Sequence, residues 1–314
     1  MSGTGGSAGG PTAGTLAHAS ARGRFSLRPG SLTPYLFLLP AIAVLGVFFV
    51  GAFLQVVYYS FTTYTAFSPP EFVGLDNYRR VLEDERFWWC LLNSFIYLLV
   101  TPALILISLA AALIVRHSIR TGRWLRLLFF LPVVTPTIVA AVAWRLLFED
   151  QGLINSIIAL AGLDPIGWLT QRPWTLITAM TVTLWKGFGF YMMIFIAGLL
   201  AVPKELEEAC SLDGAGPVRS FFAVVLPTIW PVVVLVGIIS SISALKVFDE
   251  LFVTIKGTPI EHQTVVPLVY EVAFVQGTGD FGLACAMGLV LFAIILVFSV
   301  VNLRLTGAVK GGRP

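Results

Sequence analysis

Charge is what this 314-residue sequence has least of. Asp, Glu, Lys and Arg make up 12% of it and hydrophobic residues 57%, where ordinary soluble domains carry about 25% charged residues. Too few polar side chains are present to cover a water-facing surface, so the lipid bilayer is the solvent to reason with. Cysteine is scarce as well. Cys90, Cys210 and Cys285 form no CxxC pair, which argues against both a disulfide framework and a zinc site. No G-x-x-x-x-G-K-[ST] phosphate cradle occurs, so ATP has no evident place on the chain. The net charge is only +3 and the basic residues are spread among loops, which argues against a nucleic-acid groove. No acidic residue precedes Glu71, and the first 30 residues, rich in Gly, Ser and Ala, contain no apolar run. They read as a flexible tail.

What is present is a series of long apolar blocks. A helix needs about 20 mostly apolar residues to cross the hydrocarbon core, because every backbone N–H and C=O must be satisfied within the segment. Six blocks have that length: Tyr35 to Tyr58, Phe95 to Val115, Leu127 to Phe148, Trp174 to Val202, Phe221 to Leu245, and Phe281 to Leu303. The first is too long and too far from the start for a cleavable signal peptide, and reads as a retained anchor. Thr264 to Thr278 is shorter, carries Glu271 and is broken by Pro267. It reads as a re-entrant or interfacial segment.

Orientation follows from Lys and Arg, which cytoplasmic loops hold in excess. Arg22, Arg24, Arg28, Arg116, Arg120, Arg123, Arg126, Lys204, Arg219, Arg304, Lys310 and Arg313 fall on one side; Arg79, Arg80, Arg86, Arg172 and Lys256 fall on the other. The richer side is expected to be cytoplasmic, with both chain ends on it. Arg145 near the outer end of the third span reads as an interfacial snorkelling residue. Pro102, Pro132, Pro136, Pro227 and Pro231 interrupt spans, each removing a backbone donor and kinking its helix.

The most informative loop follows the fourth span and reads PKELEEACSLDGAGPVRSFFAVVLP from Pro203 to Pro227. Pro203 suits a first helical turn, and Glu205, Glu207 and Glu208 sit where the positive helix end favours carboxylates. Leu206, Ala209 and Cys210 recur at helical spacing, Gly214 supplies a turn, and a second helix starts near Pro217. This helix-turn-helix, residues 203–222, forms a compact knob projecting into the cytoplasm. Here the sequence resembles the permease subunits of binding-protein-dependent ABC importers, whose signature is Glu-Ala-Ala, three residues, Gly, nine residues, Ile, one residue, Leu-Pro. This chain has Glu208-Ala209-Cys210, Gly214, Val224, Leu226 and Pro227 at that spacing, with Cys210 and Val224 as the two departures.

The resemblance implies an all-α integral membrane protein of type I importer architecture, six helices over residues 31–314 after the cytoplasmic tail. It further implies that the knob, with Glu205, Glu208, Ala209, Cys210, Asp213, Gly214 and Ala215, couples to a separate ATPase. The partners implied are a second homologous permease subunit, two ATPase subunits that hold ATP and Mg, an extracytoplasmic solute-binding protein and the bilayer of a bacterial or archaeal inner membrane. No cofactor is expected on this chain, and the chain is not expected to be an enzyme.

Further stretches, FVGLDNYRRVL from Phe72, RLLFFLPVVTPTIVAAVAWRLLF from Arg126 and FDELFVTIKGTP from Phe248, resemble the carbohydrate branch, of maltose and glycerol-phosphate type. A sugar site needs aromatic faces for the apolar side of the ring and hydrogen-bonding groups for its hydroxyls. Trp185, Lys186, Gly187, Phe188, Phe190 and Tyr191 midway along the fourth span, and Lys246, Phe248, Asp249 and Glu250 at the mouth of the fifth, are the candidates for the solute path. Intramembrane charge is costly and usually faces a cavity or a partner, so Lys186 is either functional or structurally paired. Lys246 precedes Asp249 and Glu250 by three and four residues, a spacing that allows pairing along one helix. The cargo expected is a sugar or oligosaccharide, with glycerol phosphate, a polyol or another solute as the alternative. Gly277-Thr278-Gly279-Asp280 spells the G-x-G-D pattern of intramembrane aspartyl proteases, but no second span holds an Asp at depth to share a proton. An ion-driven secondary transporter commonly shows internal repeats, and none is seen.

Overall fold

The computed structural model describes residues 33–117, 122–255, 257–275, 277 and 279–305. The tail expected over 1–30, together with Arg22, Arg24, Arg28, Arg120, Lys256, Lys310 and Arg313 of the charge count, lies outside the described residues. The chain divides into two compact units at Ala52. The described part of the first holds α1 (Thr33–Leu45) and a π-helical turn, Gly46–Gly51. Every side chain from Tyr35 to Val50 is exposed, as suits a surface that meets hydrocarbon rather than water.

The second unit begins within α2 (Ala52–Ser60). A two-stranded hairpin follows, β1 (Thr62–Thr63) antiparallel to β2 (Glu71–Phe72), with Thr62 opposite Phe72. Then come α3 (Asp76–Glu83), α4 (Glu85–Tyr97), α5 (Val100–His117), α6 (Gly122–Val134), α7 (Thr137–Phe148), α8 (Leu153–Leu160), α9 (Trp174–Leu200) and α10 (Lys204–Leu212). Last are α11 (Pro217–Ser220), a π-helical turn, α12 (Leu226–Leu245), α13 (Asp249–Thr254), α14 (Val265–Phe274) and α15 (Phe281–Leu305).

Five helical stretches among the described residues are long and apolar enough to cross a membrane: Tyr35–Ser60, Glu85–Arg116, Trp174–Leu200, Pro217–Leu245 and Phe281–Arg304. A bent pair, Gly122–Val134 with Thr137–Leu160, is the candidate for a sixth. Instead of one run from Leu127 to Phe148, α6 breaks from the segment beginning at Thr137 by 92°. The cause lies in two prolines one turn apart. Pro136 has no N–H to offer the carbonyl of Pro132, which accepts from Thr135 at 3.2 Å instead, and the helix ends there. Pro102 acts more gently: α4 stops at Tyr97 and α5 starts at Val100, with Leu98 O accepting from Thr101 N at 2.9 Å. The apolar segment expected to be re-entrant is the ten-residue α14, packed against α4 and α15.

Two cores hold the second unit together. The larger joins α4, α5, α9 and α12 around Tyr97, Met192, Phe195, Leu199 and Ile229; the smaller joins α4, α14 and α15 around Phe87, Leu268 and Met287. Between helices in lipid no hydrophobic drive exists, so close packing and interhelical hydrogen bonds carry more of the load. Buried Asn93 on α4 shows how. Its amide donates to Glu261 O at 2.7 Å and Gln263 O at 2.8 Å, and its oxygen accepts from Arg172 Nη2 at 2.7 Å.

Links between distant loops sort by side, which sets the topology without appeal to hydropathy. Asn93 ties the 172 and 261–263 loops together, Arg80 pairs with Asp280 at 2.8 Å, Thr65 bridges to Asp280, and Arg145 reaches Val253 O at 3.4 Å. Together these link the hairpin region, α3, α4, the end of α7 and the α8–α9 connection to the α12–α15 connection on one face. On the opposite face Arg116, at the end of α5, pairs with Glu207 of α10. The α10 face is the one that the excess of Lys and Arg assigns to the cytoplasm, which leaves the hairpin face outer. The G-x-G-D stretch falls on the outer face as the cap of α15: Asp280 Oδ1 accepts from Leu283 N at 2.9 Å. Gly279 has φ +65°, and a Cβ there would stand 2.5 Å from Ala273 O, so only glycine fits.

Candidate functional site

Two features stand out, one on the cytoplasmic face and one toward the outer end of the bundle. The first is α10 with its turn. Pro203 occupies the cap position ahead of Lys204 rather than the first turn expected of it, with Glu205 and Glu207 in that turn. The helix closes at Asp213, whose N–H reaches Ala209 O at 3.1 Å; Gly214 then turns the chain at φ +76°, and Ala215 N donates to Cys210 O at 3.2 Å. That αL turn satisfies carbonyls at the helix end which would otherwise be orphaned. Pro217 opens α11.

No residue of α10 or α11 is buried. Leu212 is 88% exposed, Val218 70% and Leu206 49%, and Glu205 and Glu208 are exposed on the same helix as Leu206 and Leu212. Glu207 and Cys210 are half-buried, turned toward the body, where Glu207 meets Arg116. The knob is thus anchored by one edge and presents apolar side chains among carboxylates on the other. Leu212 and Val218 carry no periodic signal in the sequence, and neither was singled out there.

The second feature is a cavity of about 230 Å³ bounded by α5, α9, α12 and α13. Of the residues expected on the solute path, Tyr191, Lys246, Phe248, Asp249 and Glu250 line it. Trp185, Lys186, Gly187 and Phe190 do not. Trp185 meets Trp144 edge-on at 5.8 Å, Gly187 faces Leu104 of α5, and Phe190 is exposed; Phe188 packs on Phe129. The lining adds Thr183, Ser240 and Ser243, hydroxyls unremarked in the sequence. Three serines at 240, 241 and 243 in a span without charge are the signal that points to them. Thr183 Oγ1 hydrogen-bonds the buried Tyr97 hydroxyl at 2.7 Å, fixing its orientation at the wall.

Lys246 caps α12 while Asp249 and Glu250 open α13, so the three are not on one helix, and among the described residues no ion pair joins them. Burial pushes the Glu250 carboxyl above its usual range; the neighbouring Asp249 charge adds to this and Lys186 opposes it. Hydroxyls, two carboxyls, one ammonium and a ring face form a lining suited to a neutral polyhydroxylated solute. A larger, more open cleft of about 660 Å³ is lined by Arg145, Glu149, Asp150 and Thr258 on the outer face.

Broken apolar spans, a hydroxyl-lined cavity within the bundle and an exposed helical knob define a multi-pass membrane protein with an internal polar cavity. Residues 103–310 match the family described as the inner membrane component of binding-protein-dependent transport systems, and the chain belongs to that family. It is 31% identical over 274 residues to the trehalose/maltose transport system permease protein MalF of Thermococcus litoralis, covering 86% of this chain and 92% of the relative. To the arabinooligosaccharides transport system permease protein AraP of Halalkalibacterium halodurans it is 35% identical over 290 residues, 90% of each chain. The fold matches a chain of the crystal structure of a bacterial alginate ABC transporter in complex with alginate pentasaccharide-bound periplasmic protein. That match has TM-score 0.77 and 20% identity, covering 89% of this chain and 95% of the other. The protein is a permease subunit of an ABC importer in a prokaryotic inner membrane.

Proposed function

We propose that this subunit forms half of the translocation path for a sugar or oligosaccharide and is driven through α10 by a separate ATPase. The observation that carries the mechanical half is the open knob: an amphipathic helix with no buried residue, tied to the body along its Glu207 edge. A groove on a partner would cover Leu206, Leu212 and Val218, with Glu205, Glu208 and Asp213 at the rim. A second, related permease subunit supplies the other half of the path, two ATPase subunits hold ATP and Mg on the cytoplasmic face, and a solute-binding protein delivers cargo at the outer face. Closure of the ATPases swings the paired bundles, and solute passes through the cavity beside Phe248 and Tyr191.

The cargo half is supported by the cavity lining and by the names of the relatives, which transport trehalose and maltose in one case and arabinooligosaccharides in another. Carboxyls outnumber ammonium groups in the lining, which disfavours a phosphorylated cargo. The test is uptake into proteoliposomes that hold the assembled complex with ATP inside and the binding protein outside. Sugar uptake that requires ATP supports the proposal, and uptake that continues without the ATPase subunits contradicts it.

A further inference from the structure

We infer that an inner-leaflet phospholipid with an anionic headgroup binds in a groove between α4 and α15, one acyl chain lying along the groove and the phosphate held by Arg304. The groove, about 450 Å³, is lined by Phe95 of α4 and by Ala293, Ile294, Val297, Phe298 and Val301 of α15. None of these side chains carries a polar atom. The groove shares no residue with the cavity beside Phe248, so the inference does not depend on the cargo.

The packing explains the gap. α14 packs on both α4 and α15, but its ten residues reach only about 15 Å, so it fills the space between them over part of the bilayer depth. α4 ends at Tyr97 and the chain restarts as α5 at Val100. Phe95, two residues before that end, is what α4 gives to the wall.

Length and depth identify the occupant. α15 begins at Phe281 by the outer loops and runs to Leu305, and the lining from Ala293 to Val301 falls in its inner half. Val301 precedes Arg304 by one helical turn. From Arg304 back to Ala293 the rise is about 16 Å, against about 15 Å for one leaflet of a hydrocarbon core about 30 Å thick. A groove that stops at the midplane has the length of a single acyl chain, whereas a neighbouring helix would run the whole thickness.

Arg304 supplies the charge. It is exposed, and among the described residues no ion pair joins it. Its guanidinium presents a fork of donors that matches a phosphate, at the cytoplasmic surface where anionic headgroups attract Lys and Arg. In lipid, apolar contact brings no hydrophobic drive, so the chain contributes close packing on two helices and the headgroup contributes charge.

The experiment is photolabelling of the whole importer complex in vesicles of phosphatidylethanolamine and phosphatidylglycerol. The probe is phosphatidylglycerol with a diazirine on one acyl chain, compared with phosphatidylcholine carrying the same group. Labelled residues are mapped by mass spectrometry in the wild type, Val297→Trp and Arg304→Gln, with basal ATP hydrolysis reporting assembly. The expected result is labelling of Phe95 and of 293–301 at about fivefold the level on Leu127, Leu128 and Leu131, which are exposed on α6. Val297→Trp fills the groove and removes that excess. Arg304→Gln lowers the preference for phosphatidylglycerol over phosphatidylcholine about fivefold; should Val297→Trp fail to assemble, this exposed substitution carries the test. Groove labelling no stronger than on α6, equal labelling by the two lipids in the wild type, or an excess that persists in Val297→Trp overturns the site. Protection of the groove from both lipids, as a covering helix of this chain or of a second permease subunit would give, overturns it as well.

Discussion

Arg116 at the end of α5 and Glu207 in the first turn of α10 form an ion pair that ties the cytoplasmic knob to the helix packed most closely on α9. Both side chains are half-buried, at 22% and 30% exposure. A pair so placed contributes little to stability, about 0–1 kcal/mol. Its geometric consequence is larger: α5 lines the cavity through Val100 and Leu104, so under the proposed coupling a displacement of α10 would reach the cavity wall.

Reversing one charge, Glu207→Lys, should therefore lower solute taken up per ATP hydrolysed by about fivefold or more while leaving the apparent melting temperature within a few degrees. The double reversal, Arg116→Glu with Glu207→Arg, should restore most of the coupling. Side-by-side measurement of uptake and hydrolysis in proteoliposomes decides it, and a double reversal no better than the single one would remove the pair from the mechanism.

Gly214→Val places a β-branched residue at φ +76°, at a cost of about 1–2 kcal/mol. The knob then reshapes while the spans remain. Uptake should fall steeply with the complex's basal ATP hydrolysis retained, and Glu208→Lys should act in the same direction through the exposed carboxylate edge. Wild-type uptake in both variants counts against a coupling role for α10.

Asn93→Ala removes two donated hydrogen bonds and the acceptor of Arg172, taking these donors from the part-buried carbonyls of Glu261 and Gln263. A loss of about 2–3 kcal/mol follows, read as a lower apparent melting temperature in detergent. The outer loops it clasps should become more susceptible to proteolysis, while α10 should not.

Glu250 gives the pH dependence. Its carboxyl is held above the usual range of about 4.3, so the folded state binds the proton more tightly than the unfolded chain does. Stability from this group is complete below the unfolded value and declines as pH rises through the folded one. Glu250→Gln, which cannot ionise, should therefore raise the melting temperature at pH 7 to 8 and lose that advantage near pH 4. Lys186, Lys246 and Asp249 are the charges nearby, and Lys186→Met should enlarge the difference by removing the opposing cation.

The long spans were legible because apolar length is a local property that lipid enforces segment by segment. Trp174 to Val202 differs from α9 by two residues at one end. The knob was legible for a different reason: Pro203, the acidic first turn, Gly214 and Pro217 are all short-range signals. What depended on three dimensions was not. Pro132 and Pro136 mark a kink, but neither its 92° size nor the packing of α7 against α13 is a short-range property. The Lys246 spacing to Asp249 and Glu250 suggests one helix, yet α12 ends at Leu245 and the three side chains spread around a cavity instead. Thr183 reaches that cavity from α9 and Ser240 and Ser243 from α12, and Arg116 finds Glu207 across 91 residues of chain, a distance no periodicity reports.

The claim that everything else needs is that α10 lies inside the cell against a nucleotide-hydrolysing partner. Thiol cross-linking from Leu212→Cys in inside-out membrane vesicles tests it directly. An adduct between this chain and the ATPase subunit, whose yield changes on adding ATP, is the predicted result. Labelling of the same cysteine by an impermeant maleimide from outside intact cells, with no adduct in the vesicles, would contradict it.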